Sequence, residues 1–234
     1  MTIEELNILY EDNHIIVVLK PQGIACCPDE SKDDNLFDVI SRYIKERYNK
    51  PGNVYLGLVH RLDRPTGGVM VYAKTSKAAS RLSLQFAERS AEKKYLTVLV
   101  GSMPKERDRL VNYLKKNPIN NMVYITTETA DGAKMASLDY KVLEDKRQFT
   151  LAEVSLHTGR SHQIRVQMAG ISHPVFGDMR YGGPNAVKGN LALWAYSLRF
   201  EHPVTKEIMR FVSLPPEDGI PWKAFDLSIV LPEA

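Results

Sequence analysis

The stretch Ala136-Ser-Leu-Asp-Tyr-Lys-Val-Leu143, followed closely by Phe149-Thr-Leu-Ala-Glu-Val-Ser-Leu156, predicts two neighbouring strands with no helix between them. Each segment has the length and apolar content of a strand. Tyr95–Val100 and Met122–Thr127 come before them as further predicted strands. Because strands follow one another here instead of alternating with helices, we expect an α+β fold and not a doubly wound parallel sheet.

The flanking sequence adds strands and a few helices. The run His14–Lys20 predicts a buried strand that stops at Pro21-Gln-Gly23, and Leu36 to Ile44 has helical spacing with Asp33, Asp34 or Asn35 as N-cap. The remaining predicted elements are strands at Val54–His60, Val69–Lys74, Ala192–Phe200 and Ile208–Ser213, a helix capped by Ser76, and a short helix from about Ser161 to Ala169. We therefore expect a single domain over residues 1–234, with a mixed, mostly antiparallel central sheet flanked by helices and loops.

Composition and charge narrow the class of protein. Hydrophobic residues make up 44% of the chain and charged residues 25%, which is typical of globular proteins. The chain has no apolar run of membrane-spanning length, and its acidic N-terminus does not resemble a secretory signal. The adjacent residues Cys26 and Cys27 match neither a disulfide pattern nor a metal-ligand spacing. We expect a reduced, cytoplasmic protein, and the net charge of +3 barely favours a nucleic-acid partner.

One charged loop stands between two predicted strands, at His60-Arg-Leu-Asp-Arg-Pro-Thr-Gly-Gly68. Arginines on either side of Asp63 favour the charged form of its carboxyl, so Asp63 can serve as a nucleophile or a base. The arginines themselves suit a polyanionic substrate. The alternative is a surface turn that holds a structural salt bridge.

A second basic segment, Leu156-His-Thr-Gly-Arg-Ser-His-Gln-Ile-Arg165, turns at Gly159 and enters the short predicted helix. Basic side chains at a helix N-terminus suit phosphate. On a helix that starts near Ser161, His162 and Arg165 lie three residues apart and share a face. A solvated patch is one alternative. A metal site is another, but no acidic or thiolate partner stands at a suitable spacing, so we expect no metal.

Together these segments resemble the RluA family of RNA pseudouridine synthases. His60–Gly68 is similar to that family's HRLDxxTSG signature, and Thr158–Val166, Ser172–Asp178 and Tyr181-Gly182 are similar to its TGRTHQIRV…GHPIxGDxxYG block. Three further matches follow the family order: Lys20–Gly23 with a KPxG turn, Lys94-Tyr95 with a KxY-type element, and His202–Glu207 with a terminal hairpin. The resemblance runs from residue 9 to about residue 216, nearly the whole chain.

The resemblance implies a cofactor-free isomerase that detaches uracil from ribose and rejoins it through carbon, on a uridine flipped out of RNA. Asp63 is then the catalytic carboxylate, which either attacks C1′ or takes the C2′ proton. Tyr95 should lie against the target base, Arg165 should pair with Asp63, and Arg61 should enter the space that the uridine leaves. The residues expected to bind RNA are Arg61, His60, Arg64, Arg160, His162 and Lys94.

The expected partner is structured RNA, a tRNA or rRNA stem-loop, bound by a monomer. Larger relatives carry an N-terminal RNA-binding module, for which we expect no room here, so the catalytic domain itself must grip the RNA. Pro65, Gly68 and Trp194 depart from the family pattern, and they put substrate choice in doubt rather than activity. The main alternative is a non-catalytic RNA-binding or ribosome-assembly factor on the same scaffold. A nucleoside hydrolase or glycosidase would need a second carboxylate, and Asp178 is expected to be a turn residue.

Overall fold

The computed structural model describes residues 1–29, 33–216 and 219–231, without the side chain of Asn185. These residues form two compact units. The first contains Met1–Glu92 and Ala195–Ser213, and the second contains Lys93–Trp194 and Leu214–Ala234.

The first unit is built on antiparallel strand pairs with two helices. Its elements are β1 (Asn7–Glu11), β2 (Ile15–Lys20), α1 (Leu36–Arg47), β3 (Gly57–Leu58), β4 (Gly67–Ala73), α2 (Ser76–Glu88), β10 (Leu193–Glu201, whose first two residues belong to the second unit) and β11 (Ile208–Val212). The strands follow the order β1-β2-β4-β10, with β3 paired to β4 and β11 paired to β10. In the β2–β4 pair Lys20 lies opposite Gly68, which places the end of the Asp63 loop beside the end of β2.

The core of the first unit explains its two helices. All seven residues of β4 are buried, so this strand needs cover on both faces. Val69 and Val71 pack in one cluster with Leu82 of α2. On β4 Tyr72 points the opposite way and contacts Phe37 of α1 edge to face, with 6.4 Å between the ring centroids. Helix α1 starts at the N-cap Asn35, whose side chain accepts from the backbone N–H of Asp38 at 3.0 Å.

The second unit is an antiparallel sheet with one helix. Its elements are β5 (Glu92–Val100), β6 (Arg107–Lys116), β7 (Val123–Thr126), β8 (Lys134–Asp145), β9 (Phe149–Leu156) and α3 (Gln163–Gly170). The strand order is β5-β9-β8-β6-β7. Val166 of α3 packs against Leu114, Val123 and Ala136, one each from β6, β7 and β8. This contact seats α3, which carries the second basic segment, on one face of the sheet.

The α+β class predicted from the sequence is confirmed. Several local expectations are corrected. The predicted strand Val54–His60 is reduced to Gly57–Leu58, the second helix is capped by Thr75 instead of Ser76, and α3 begins at Gln163 instead of Ser161. Strands β1 and β6 were not expected. In the described part of the chain, every helix is too short or too polar to span a bilayer.

Candidate active site

Asp63 lies in a tight turn of the first unit, and its side chain is half-buried. The backbone N–H of Thr66 donates to the carbonyl oxygen of Asp63 at 2.9 Å, which closes the turn. Directly after it, Gly68 has φ +126°, and a Cβ there would stand 2.3 Å from the carbonyl oxygen of Ala195. Glycine is therefore required where the loop enters β4, and the backbone path after Asp63 is fixed.

The turn is held by the segment that ends β2. The Lys20 ammonium is fully buried and donates to the carbonyl oxygens of Pro21 at 3.0 Å, Ile24 at 2.7 Å and Arg64 at 3.0 Å. Gly23 also donates its N–H to the Arg64 carbonyl, at 2.9 Å. The side chain of Gln22 donates to the carbonyl oxygen of Pro65 at 2.8 Å. The Lys20–Gly23 segment is thus joined by hydrogen bonds to the two residues that follow Asp63.

Lys20 also places a positive charge near the candidate carboxylate. Burial lowers the pKa of the Lys20 ammonium to about 8, and the negative charge of Asp63 opposes that shift. The interaction places the Lys20 ammonium within electrostatic range of the Asp63 carboxyl group. Lys20 was noted in the sequence only as part of a KPxG turn. An uninterrupted apolar strand that ends in a lysine was the signal that could have marked it as buried and functional.

The other predicted residues of this loop have structural contacts of their own. The ring of His60 stacks on Phe86, with 4.5 Å between centroids, and its Nε2 accepts from the backbone N–H of Val71 at 3.1 Å. The guanidinium of Arg64 binds Asp33 at 2.9 Å and Asp29 at 2.7 Å. Arg61 is exposed. A contact of His60 with RNA stays a prediction. A contact of Arg64 with RNA also stays a prediction, and it would disturb the two exposed ion pairs of Arg64.

In the second unit, buried amide contacts shape the turn before α3. Gln163 accepts from the hydroxyl of Thr158 at 2.7 Å and from the backbone N–H of Arg160 at 3.0 Å, and it donates to the Ser137 carbonyl at 3.1 Å. Arg160 donates its Nε to the carbonyl oxygen of Met135 at 2.9 Å. These bonds fix the Thr158–Gln163 turn to β8.

Arg165 of α3 forms a buried ion pair with Asp178. Its Nε donates to Oδ2 at 2.7 Å and its Nη2 to Oδ1 at 2.8 Å. The side chain of Arg165 is 7% exposed and that of Asp178 is 0% exposed. Asp178 also accepts from the backbone N–H groups of Arg180 at 3.0 Å and Tyr181 at 3.1 Å. The expectation that Asp178 is a turn residue is confirmed, but its role as partner of Arg165 was missed.

Tyr181 completes the setting of Arg165. The guanidinium carbon of Arg165 lies 5.0 Å from the centre of the Tyr181 ring. The Tyr181 hydroxyl is 2.6 Å from Nδ1 of His162 and accepts from the backbone N–H of Val123 at 3.0 Å. His162 precedes α3 in a left-handed conformation, with φ 52°. The predicted helical face shared by His162 and Arg165 is therefore wrong, although both residues meet at Tyr181.

Strand β5 carries Tyr95, Lys94 and Lys93. Tyr95 lies opposite Val154 and is 6% exposed. Lys94 forms an ion pair with Glu153 at 3.1 Å. Burial lowers the pKa of Lys93. Its Nζ would be 3.4 Å from a Cβ at Gly159, so this ammonium borders the turn that leads to α3.

The predicted site residues thus divide between the two units. His60, Arg61, Asp63 and Arg64 belong to the first, and Tyr95, Arg160, His162 and Arg165 belong with Lys94 to the second. The structure brings together Arg165, Asp178, Tyr181 and His162 in one network. The expected pairing of Asp63 with Arg165, and the expected place of Tyr95 beside the base, stay predictions. Among the described residues, no three His, Cys, Asp or Glu side chains are grouped as a metal site would require.

Comparison with known proteins decides the family. Residues 14–170 match the family described as RNA pseudouridylate synthase. The chain belongs to this family. An uncharacterized RNA pseudouridine synthase of Aquifex aeolicus is 37% identical over 224 residues, which cover 91% of the chain and 70% of that protein. The ribosomal large subunit pseudouridine synthase D of Vibrio cholerae is 34% identical over 232 residues, covering 92% of the chain and 69% of that protein.

A solved structure agrees on the fold. Human RNA pseudouridylate synthase domain containing 4 superimposes with a TM-score of 0.75 at 23% identity, and the match covers 90% of this chain and 88% of the human one. The family match and the Vibrio cholerae relative, not the human structure, show that the chain is an RNA pseudouridine synthase of the RluA type, an isomerase whose substrate is RNA. The alternatives of a non-catalytic factor and a glycosidase are set aside by this membership.

Proposed function

We propose that Asp63 is the catalytic carboxylate with which this synthase converts a uridine of structured RNA into pseudouridine. One observation carries the proposal: the turn of Asp63 is held rigidly by Lys20, Gln22 and Gly23, and the Lys20 ammonium supplies a nearby buried charge. A carboxylate that acts on a ribose must be ionised and fixed in place before the substrate arrives. A surface salt bridge would need neither a buried lysine nor an anchored backbone.

Arg165 is proposed to orient Asp63, and Tyr95 to lie against the target base. A guanidinium has five N–H donors in a planar fork, so one that binds Asp178 through two of them can also bridge to a second carboxylate. Asp178 and Tyr181 support this role because they hold the guanidinium in one orientation. Tyr95 supports its role by being aromatic and almost fully buried, since a dry pocket protects the sugar from hydrolysis.

The proposed substrate is large-subunit ribosomal RNA, because the Vibrio cholerae relative is named for the ribosomal large subunit. A tRNA stem-loop is the competing substrate. Arg61 is proposed to enter the stack after base flipping, with His60, Arg64, Arg160, His162 and Lys94 at the RNA surface. Contacts of arginine and lysine with phosphate release counterions, so binding should weaken strongly as the salt concentration rises.

We further propose that the enzyme acts as a monomer in the cytoplasm and without a cofactor. The experiment uses unmodified in vitro transcripts of large-subunit ribosomal RNA and of tRNA, incubated with the protein with and without a chelator. Pseudouridines are then mapped at nucleotide resolution. We expect modification of defined uridines in the ribosomal transcript, unchanged by chelation. Modification of tRNA alone would contradict ribosomal RNA as the substrate. Loss of activity on chelation would contradict the proposal that the enzyme needs no metal.

A further inference from the structure

An apolar side chain stands at the tip of the hairpin that joins β6 and β7. Ile119 is 91% exposed, the highest exposure of any large hydrophobic residue in the described part of the chain; the next, Ile220 and Met179, reach 62% and 60%. Single exposed apolar side chains are common on protein surfaces, so exposure alone says little. Three further features of the tip indicate a binding role. They are its hydrogen-bonded backbone, its attachment to the turn after Asp178, and its positive charge.

The tip is an ordered structure. Asn117 donates its N–H to the carbonyl oxygen of Met122 at 2.7 Å, which closes the loop. The side chain of Asn117 accepts from the N–H of Ile119 at 2.9 Å, and that of Asn120 accepts from the N–H of Met122 at 2.9 Å. Such side-chain caps of turns fix the local backbone. Ile119 is therefore presented outward from a defined backbone.

The tip is fastened to the turn that holds Arg165. Arg180 donates its Nη2 to the carbonyl oxygen of Asn120 at 2.5 Å, and its Nε lies 2.9 Å from the sulfur of Met122. The Tyr181 hydroxyl accepts the N–H of Val123. Arg180 and Tyr181 follow Asp178, the partner of Arg165, so the loop and the arginine share one support.

The charge around the tip is positive. From Arg109 to Thr127 the sequence has no Asp or Glu, and Lys115 and Lys116 end β6 just before the tip. Arg180 adds a further cation from the turn that follows Asp178. The nearby carboxylate of Asp178 is itself paired with Arg165 and with backbone N–H groups. An apolar tip with Lys115, Lys116 and Arg180 nearby complements RNA, which offers stacked bases between phosphates.

We propose that this hairpin tip is an RNA-contacting element, with Ile119 packed against unstacked bases and Lys115 and Lys116 on phosphates. The proposal rests on the proposed function only in taking ribosomal RNA as the substrate. Apolar side chains act as wedges at base steps in other nucleic-acid complexes. Arg180 and Tyr181 contact both the tip and Asp178, the partner of Arg165. RNA bound at the tip is therefore kept at a fixed distance from Arg165.

The test compares Ile119→Ala with Ile208→Ala, the same change at an isoleucine that is 58% exposed on β11. Filter binding measures Kd for the large-subunit ribosomal transcript, and pseudouridine formation is measured with the same RNA. We expect Ile119→Ala to weaken binding about tenfold, because the change removes most of the apolar surface that packs against the base. Ile208→Ala should change it by about twofold or less, as for an ordinary surface substitution. Thermal unfolding confirms that both variants fold.

A double variant, Lys115→Ala with Lys116→Ala, tests the phosphate contacts. The slope of log K against log salt should become shallower by about 0.7 to 0.9 for each phosphate that the variant no longer neutralises. Equal Kd values for Ile119→Ala and wild type, with wild type active, would overturn the proposal and leave the proposed function standing. Weaker binding by Ile119→Ala, with no pseudouridine formed by wild type, would support the tip contact and contradict the proposed function.

Discussion

Arg165 and Asp178 are joined by two parallel hydrogen bonds inside the second unit, Nε to Oδ2 at 2.7 Å and Nη2 to Oδ1 at 2.8 Å. Both side chains are buried, and the carboxylate is itself fixed by the backbone N–H groups of Arg180 and Tyr181. The orientation of Arg165 is therefore set by its own unit before any substrate binds. An arginine prepared in this way suits the role of orienting a catalytic carboxylate.

Asp178→Asn should impair both stability and activity. Removing one partner leaves the buried guanidinium uncompensated, which costs about 3–5 kcal/mol in the free energy of unfolding. Activity should fall about a hundredfold in the fraction that stays folded, because Arg165 loses its orientation. Urea unfolding and single-turnover pseudouridine formation measure the two effects. Asp139→Asn, which weakens the exposed contacts with Arg109 and His157, is the control and should cost about 0–1 kcal/mol. Equal losses in the two variants would contradict the account.

Tyr181→Phe tests the hydroxyl that joins His162 and Val123. The ring under Arg165 remains, so the expected effect is a loss of about 1–3 kcal/mol from the unpaired amide of Val123, measured by urea unfolding. Tyr113→Phe removes an exposed hydroxyl bound to Glu128 and should change stability by less than about 0.5 kcal/mol. A Tyr181→Phe variant as stable as the control would show that the hydroxyl is not a structural support.

The buried ammonium of Lys20 predicts a loss of activity as the pH rises through about 8, its pKa in the folded protein. Above that pH the folded chain releases the proton, while the unfolded chain keeps it until about pH 10.5. The loop after Asp63 then loses the ammonium that holds the Arg64 carbonyl. Stability responds with the opposite sign: the unfolded state binds more protons in this window, so the cost of burying the charge declines as the pH rises.

Lys20→Gln is the matched variant for this pH dependence. It should be less active than wild type at pH 7, and its remaining activity should show no decline centred near pH 8. The free energy of unfolding of wild type relative to Lys20→Gln should increase between pH 8 and 10.5. Pseudouridine formation and urea unfolding across this range, starting about two pH units below it, provide both measurements. If wild type and Lys20→Gln both lost activity near pH 8, the decline would be due to a titrating group other than Lys20.

Gly68→Ala should prevent the first unit from folding, or destabilise it by more than about 4 kcal/mol. The new Cβ would stand 2.3 Å from the backbone oxygen of Ala195, in a conformation that side chains rarely adopt. Gly52→Ala is the control, since Gly52 also has a positive φ but has nothing within 4 Å, so strain alone should cost about 1–3 kcal/mol. The midpoints of urea unfolding compare the two, and similar midpoints would show that β4 can move away.

The sequence predicted the parts of this enzyme that depend on local pattern. Buried strands such as β2 and β9 were predicted because their apolar content and length are read within one segment. Strand β6, Arg-Asp-Arg-Leu-Val-Asn-Tyr-Leu-Lys-Lys, was missed because its exposed face is charged and its burial is supplied by α3 and neighbouring strands. The reverse error at Val54–His60 has the same cause, since an apolar segment forms a strand only where a partner is available.

The site was predicted as far as its motifs reached. Asp63 and Arg165 were chosen as candidates because their segments carry their own signature, and their catalytic roles stay predictions. Asp178 as the partner of Arg165 was missed because the ion pair joins residues 13 apart in sequence, and no local pattern encodes it. The role of Lys20 was missed because it depends on the Arg64 carbonyl, 44 residues away. Long-range contacts of this kind exist only in the folded chain.

The most direct test of the account is single-turnover pseudouridine formation by Asp63→Asn on the large-subunit ribosomal transcript. Asparagine keeps the size of the side chain but can neither attack the ribose nor accept its proton. We expect formation at least about a thousandfold slower than wild type, with unchanged thermal unfolding and RNA affinity within about threefold. An Asp63→Asn variant that forms pseudouridine at a rate near that of wild type would contradict the central claim.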